Sequence, residues 1–139
     1  MSAADSFFDT NVLLYLLSGE FEKADRAEAL IASGGIISVQ VLNEFASIAS
    51  RKLAMRIPEI QEVLSTIRAV CTVVPLDVAT HELGLEVAER QRLSICDAMI
   101  VAAALKSECR VLYTEDFNDG QKIDRLTISN PFAVSGRRP

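Results

Sequence analysis

An α/β fold carried on a mainly parallel sheet is the class this sequence predicts, on two observations. Short runs rich in β-branched and aromatic residues alternate with longer stretches of helical periodicity, and few Gly or Pro clusters interrupt them. The chain has 139 residues, 50% hydrophobic and 24% charged, which suits a single domain burying roughly two thirds of its unfolded surface. No internal repeat or low-complexity segment divides it, and there is no room for a second catalytic module.

Taken in order, Ser6-Phe7-Phe8 reads as a short buried strand stopping at Asp9, and Val12 to Leu17 begins a helix that breaks at Ser18-Gly19. A helix from about Glu20 to Ala32 is closed by Gly34-Gly35, after which Ile36-Ile37-Ser38 forms a second strand. From Val39 to Arg51 the apolar residues Val41, Leu42, Phe45, Ile48 and Ala49 fall on one helical stripe, with Glu44 at its edge. Pro58, Glu59 and Glu62 open another helix, because proline suits a first turn and acids suit its positive end; it runs to about Ala69. Cys71 to Val74 is a third strand, and Val78 to Leu93 a helix whose Glu82, Glu86 and Glu89 make a solvated face. Asp97 begins a helix that is apolar all round from Met99 to Leu105, so it must be covered on several sides. Arg110 to Tyr113 is a fourth strand, Asp119-Gly120 a turn, and Leu126-Thr127-Ile128 a candidate fifth strand. The domain is expected to span residues 1–132, with 133–139 a loose tail.

The composition excludes several classes of function. The longest apolar runs, Val12 to Leu17 and Met99 to Leu105, fall well short of the ~20 residues that cross a bilayer, and the start Met1-Ser2-Ala3-Ala4-Asp5 lacks a basic leader region. A soluble, cytoplasmic protein is expected. Cys71, Cys96 and Cys109 are scattered and odd in number, which favours reduced packing residues. His81 stands alone and cannot assemble a zinc site. A net charge of -5 provides no basic field to hold nucleic acid unspecifically, so any nucleic-acid role must rest on local chemistry.

Acids at the ends of elements point to that chemistry. Asp9 and Asp116 follow strands directly, Asp97 lies in the first turn of the apolar helix, and Glu44 follows the second strand by about a turn and a half of helix. In a parallel sheet the carboxyl ends of the strands define the ligand crevice, so the four could converge if the first and fourth strands are neighbours. Two carboxylates ~5 Å apart repel by about 3 kcal/mol at an effective dielectric of 20. Protonation or a cation must relieve this, and all-oxygen ligands without Cys or His suit Mg²⁺ or Mn²⁺. Taken singly, each acid also has a plainer reading: Asp9 a helix cap, Asp97 a dipole complement, Asp116 a turn residue, Glu44 an exposed helix position. Thr10, Asn11, Ser38 and Thr114 lie near the same strand ends, where they could orient carboxylates or act as caps.

The segments Phe8-Asp9-Thr10-Asn11-Val12-Leu13-Leu14, Ser38 to Phe45 around Glu44, Asp97 to Ala104 and Thr114-Glu115-Asp116-Phe117 together resemble the PIN-domain nucleases, in particular the VapC-type toxins of bacterial toxin–antitoxin pairs. The resemblance runs over about Ser6 to Phe132 with the four acidic motifs in order. It implies a PIN-like three-layer fold, with a central, mainly parallel sheet of four to five short strands flanked by helices. It further implies a Mg²⁺- or Mn²⁺-dependent endoribonuclease that hydrolyses RNA phosphodiester bonds with a metal-activated water. Asp9, Glu44, Asp97 and Asp116 would be the catalytic acids, and Asp9, Asp97 and Asp116 would hold metal. Asn11 and Thr114 would support them, with Glu115 beside Asp116 a rival for the fourth position. A homodimer and a cognate antitoxin covering the acidic groove are implied as partners. Engagement of RNA against the net charge would call on bases such as Arg51, Lys52, Arg56 or Lys122.

Two rivals stand beside this reading. A phosphotransferase or phosphatase working through an aspartyl-phosphate could use Asp9 after the first strand, although Asn11 replaces the second acid that a haloacid-dehalogenase-like enzyme needs. A noncatalytic module could use the acidic pocket only to grip a basic partner.

Overall fold

The computed structural model describes residues 5–133; the tail expected over 133–139, apart from Ala133, lies outside them, as do Met1 to Ala4. Six strands form one sheet: β1 (Ser6–Phe8), β2 (Gly35–Ser38), β3 (Cys71–Val74), β4 (Val111–Tyr113), β5 (Lys122–Ile123) and β6 (Leu126–Ser129). Their spatial order is β3-β2-β1-β4-β6-β5, parallel throughout except where β5 turns back on β6. The helices are α1 (Thr10–Leu14), prolonged by a 3-10 turn at Tyr15–Leu17, then α2 (Phe21–Ala32), α3 (Val39–Lys52), α4 (Ile57–Val70), α5 (Val78–Gln91) and α6 (Ile95–Lys106).

The sheet therefore exceeds the four or five strands expected from sequence. The additional strand, β5, is two residues long, too short to show an alternating pattern. It joins β6 through Asp124, which takes a left-handed conformation at φ 56 rather than presenting an Asn-Gly or Asp-Gly signal. The other expected strands and the helices appear within a few residues of their predicted bounds.

Neighbouring residues of β1 explain the layering. Side chains alternate between the faces of a strand, yet Phe7 and Phe8 are both buried, so helices cover the sheet on both sides. Ile37, Phe45, Ile100, Leu112 and Ile128 complete the centre of the core. Helix α6 is buried along Ala98 to Ala104, as its all-round apolar sequence requires. It packs mainly against α5, where Gly84 lets Met99 approach. Glu82, Glu86 and Glu89 on α5 face solvent as expected, and the three cysteines form no disulfide.

Gly35 shows how tightly the floor of the sheet is built. A β-carbon there would lie 2.5 Å from Phe8 Cε2 and 3.2 Å from the Ser6 carbonyl oxygen. The Phe8 ring is fixed within the core and stacks on Tyr113 at 5.9 Å between centroids. Gly35→Ala is accordingly expected to destabilise the fold by about 1–3 kcal/mol through overpacking, read as a lower midpoint in urea denaturation.

Candidate active site

The chain leaves β1 toward β2 on one side of the sheet and returns later as β4 on the other, so the strand order reverses between β1 and β4. At such a switch point the loops beyond the strands diverge and leave a crevice. Phe8 and Tyr113 are register partners at the ends of these strands, which brings Asp9 and the Thr114-Glu115-Asp116 turn to the same place. Strand adjacency, left open by the sequence, is met.

Asp9 caps α1, its Oδ1 accepting from the Thr10 amide at 2.6 Å, and its Oδ2 accepts from the Thr114 hydroxyl at 2.7 Å. The cap reading and the site reading of Asp9 are both satisfied by one side chain. Only 2% of Asp9 is exposed. Burial pushes its carboxyl up from 3.8 to about 7, against the lowering effect of the Thr114 and Thr10 hydrogen bonds, and the charges of Asp116 and Asp97 push the same way. Asp97 is also raised, first by desolvation and then by the charges of Asp116 and Glu44, while the Ser94 hydroxyl opposes the shift. Asp116 acts on both Asp9 and Asp97, and Glu44 on Asp97, so the four sequence-selected acids share one electrostatic neighbourhood.

Each acid arrives by a local rule. Ser94 caps α6 by accepting from the Asp97 amide at 3.1 Å, which fixes Asp97 as the third residue of that helix rather than its first. Ser38 caps α3, so its role is that of a cap. Glu44, one and a half turns on, is held at both oxygens: the Thr10 hydroxyl donates to Oε1 and Gln40 Nε2 to Oε2, each at 2.8 Å. The buried Thr114 hydroxyl also accepts from Asn11 Nδ2 at 3.2 Å and from the Asp116 amide at 3.1 Å. Asn11 Oδ1 accepts from the Glu115 amide at 3.3 Å. Asn11 and Thr114 thus tie α1 to the β4 turn.

Glu115 faces elsewhere. Its Oε1 accepts from the Tyr15 hydroxyl at 2.6 Å and its Oε2 pairs with Lys23 Nζ at 3.4 Å, which leaves Asp116 as the residue of the turn that acts on Asp9 and Asp97. Neither Tyr15, Lys23, Gln40 nor Ser94 was selected from the sequence. Gln40 and Ser94 carry local signals, an i, i+4 pair and a Ser three residues before an acid, whereas Tyr15 and Lys23 meet Glu115 across about a hundred residues of chain.

The expected bases are placed differently. Arg51 and Lys52 lie in the last turn of α3, exposed, about 10–12 Å beyond Glu44 along the helix axis at the usual rise. Arg56 caps α4 and pairs with Glu59, and Lys122 sits on β5 at the far edge of the sheet. The cation that hydrogen-bonds a residue of the β4 turn is Lys23.

The donor set is all oxygen, and among the described residues the ion pairs involve none of Asp9, Glu44, Asp97 and Asp116. No three Asp, Glu, His or Cys side chains among the described residues stand close enough to chelate an ion as they are. The crowding is looser than the sequence implies, because the raised Asp9 carboxyl and the neutral donors Thr10, Gln40 and Thr114 relieve it. The chemistry of the Asp9, Asp97 and Asp116 carboxylates suits a hard cation, although their side chains would have to draw closer to hold one.

A mainly parallel sheet with this strand order, carrying acids at its switch point, defines the class. The PIN-domain sequence model matches residues 6–125, and the chain belongs to the PIN-domain family. Solved structures agree on the fold. A toxin–antitoxin complex from Klebsiella pneumoniae superposes with a TM-score of 0.70 at 22% identity, covering 93% of this chain and 99% of that one. VapC20 of Mycobacterium tuberculosis, described as a Sarcin-Ricin loop cleaving toxin, gives 0.65 at 21% identity, over 80% of this chain and 91% of its own. VapBC2 from Rickettsia felis, bound to a promoter DNA fragment, gives 0.65 at 17% identity, over 90% and 97%. A search of curated protein sequences returns no significant match. No helix among the described residues is long and apolar enough to cross a membrane.

Proposed function

We propose that this protein is a VapC-type endoribonuclease, the toxin of a type II toxin–antitoxin pair, acting in the cytoplasm on RNA with Mg²⁺ or Mn²⁺. The observation that carries the reading is the meeting of Asp9, Asp116, Asp97 and Glu44 in one electrostatic neighbourhood at the β1/β4 switch point. The likeness to toxin–antitoxin structures adds to it.

In this reading Asp9, Asp97 and Asp116 hold the cation, which when bound lowers the pKa of water and neutralises phosphate charge. Thr114 aims Asp9 by donating to Oδ2. Glu44, fixed by Thr10 and Gln40, has remaining lone pairs to orient an attacking water and accept its proton. The expected products carry 5′-phosphate and 3′-hydroxyl ends.

The partners follow from the surface. An acidic crevice attracts a basic side chain of an antitoxin segment, and Phe21, Val78, Ile57 and Ile95 are more than half exposed, leaving apolar helix surface for an antitoxin and a second copy of the chain.

Incubating the purified protein with a mixed RNA pool tests the reading. Internal cleavage that stops with EDTA and returns with Mn²⁺ is the expected result. A covalent phosphate on the protein would indicate the phosphotransferase chemistry instead, and intact RNA with neither product would leave only a binding module.

A further inference from the structure

Beside the crevice stands a group of side chains that no step above uses. Tyr15 lies in the 3-10 turn after α1, Lys23 in the first turns of α2, and Glu115 in the turn after β4. The Tyr15 hydroxyl donates to Glu115 Oε1 at 2.6 Å, Lys23 Nζ donates to the Tyr15 hydroxyl at 3.0 Å, and Lys23 pairs with Glu115 Oε2 at 3.4 Å. The Tyr15 ring is in turn held against Phe132, 4.4 Å between centroids, with the Lys23 ammonium 4.7 Å from its own centroid. Two chain segments, and through Tyr15 the ring of Phe132 beyond β6, are thereby fastened to one side chain of the β4 turn.

The placement of Glu115 gives this group its meaning. Its amide is bonded to Asn11 Oδ1 at 3.3 Å and its carboxylate to Tyr15 and Lys23, so both ends of the residue are fixed, on α1, its extension and α2. The next residue is Asp116, which is exposed and whose amide is anchored at 3.1 Å to Thr114 Oγ1. An exposed acid at a turn has many accessible orientations. Fixing the preceding residue at backbone and side chain narrows the backbone freedom of the turn from which Asp116 projects.

We infer that Tyr15, Lys23 and Glu115 form a brace that positions Asp116 toward Asp9 and Asp97, with Glu115 a positioning residue and not a ligand of the cation. The inference rests on the nuclease reading for its consequence, metal affinity, but its geometry stands without it. A surface ion pair alone would contribute little. Here the charge-assisted Tyr15–Glu115 hydrogen bond and the aromatic contact to Phe132 pre-order the pair, which reduces the entropy lost when the turn is held.

The test uses the full chain with Tyr15→Phe, which keeps the ring on Phe132 and removes only the hydroxyl, and Glu115→Gln, which keeps the shape and removes the charge. Two quantities are measured: hydrogen exchange of the 114–117 amides without metal, and Mn²⁺ affinity by titration. The brace predicts exchange of the Asp116 amide faster by about tenfold in both variants, at unchanged exchange in β1 and α6, the size expected for one lost charge-assisted hydrogen bond. It also predicts Mn²⁺ binding weakened about three- to tenfold, within the range for groups that orient metal ligands. Unchanged exchange in both variants overturns the brace. Tighter Mn²⁺ binding by Tyr15→Phe also overturns it, since a released Glu115 would then be joining the metal. If the unmodified protein binds no Mn²⁺, the nuclease reading falls, while faster exchange at Asp116 still supports the brace.

Discussion

Replacing Asp9 by asparagine is expected to abolish RNA cleavage, by at least about a thousandfold, or about 4 kcal/mol of transition-state stabilisation, and at the same time to stabilise the metal-free protein at pH 8. The second effect comes from the burial of Asp9. Its carboxyl rises from 3.8 to about 7 in the folded protein, so the stability it supports is complete below pH 3.8, is lost as pH climbs to about 7, and changes no further above that. The interval corresponds to about 4 kcal/mol. Asparagine escapes this loss but gives the Thr114 hydroxyl a poorer partner, which returns about 1 kcal/mol or somewhat more. A net gain of about 2–3 kcal/mol at pH 8, shrinking to nothing or reversing near pH 4, is the expected outcome of urea denaturation in EDTA at a series of pH values. A gain that does not vary with pH would show that the Asp9 carboxylate is not the source. Mn²⁺ should raise the midpoint of the unmodified protein and leave Asp9→Asn nearly unmoved.

Thr114→Val should have the second largest effect. The valine matches the shape and deletes one hydroxyl that donates to Asp9 and accepts from both Asn11 and the Asp116 amide. Thr114 is completely buried, so water cannot replace it, and groups left without partners cost about 1–3 kcal/mol in all. Cleavage is expected to fall by about a hundredfold, because Asp9 and Asp116 lose the atom that orients both. Thr114→Ser keeps that atom and should recover most of the activity and stability. A serine variant as poor as valine would place the defect in the methyl group instead of the hydroxyl.

How much of this was legible in the sequence depends on the range of the interaction. The strand Cys71–Val74 and the stripe of α3 follow from local pattern, and they appear as read. Ser94, three residues before Asp97, is an ordinary capping signal, masked in the sequence by the acid it precedes. Strand β5 has two residues and no pattern to detect. For the site, the order of the acidic segments points to Asp9, Glu44, Asp97 and Asp116, which the fold brings near one another. Glu115 and Asp116 stay rivals in the sequence, since what distinguishes them in the fold, the contacts of Glu115 with Tyr15 and Lys23, comes from about a hundred residues away. The charge crowding is weaker than the sequence implies for a similar reason. A neutral donor such as Gln40 leaves no mark in a count of charges, yet it holds one oxygen of Glu44.

The pairing of β1 with β4 has a consequence for the order of synthesis. β2 can join one flank of β1 early, but the other flank waits for Val111–Tyr113, and Thr114 reaches Asp9 across 105 residues. A growing chain on the ribosome therefore carries an open hydrogen-bonding rim along its first strand until Val111–Tyr113 has emerged, and such rims recruit other chains. It also has no assembled crevice during that time. The same insertion that closes the rim delivers Thr114 and Asp116 to Asp9, so a prematurely terminated polypeptide would be sticky and inert together.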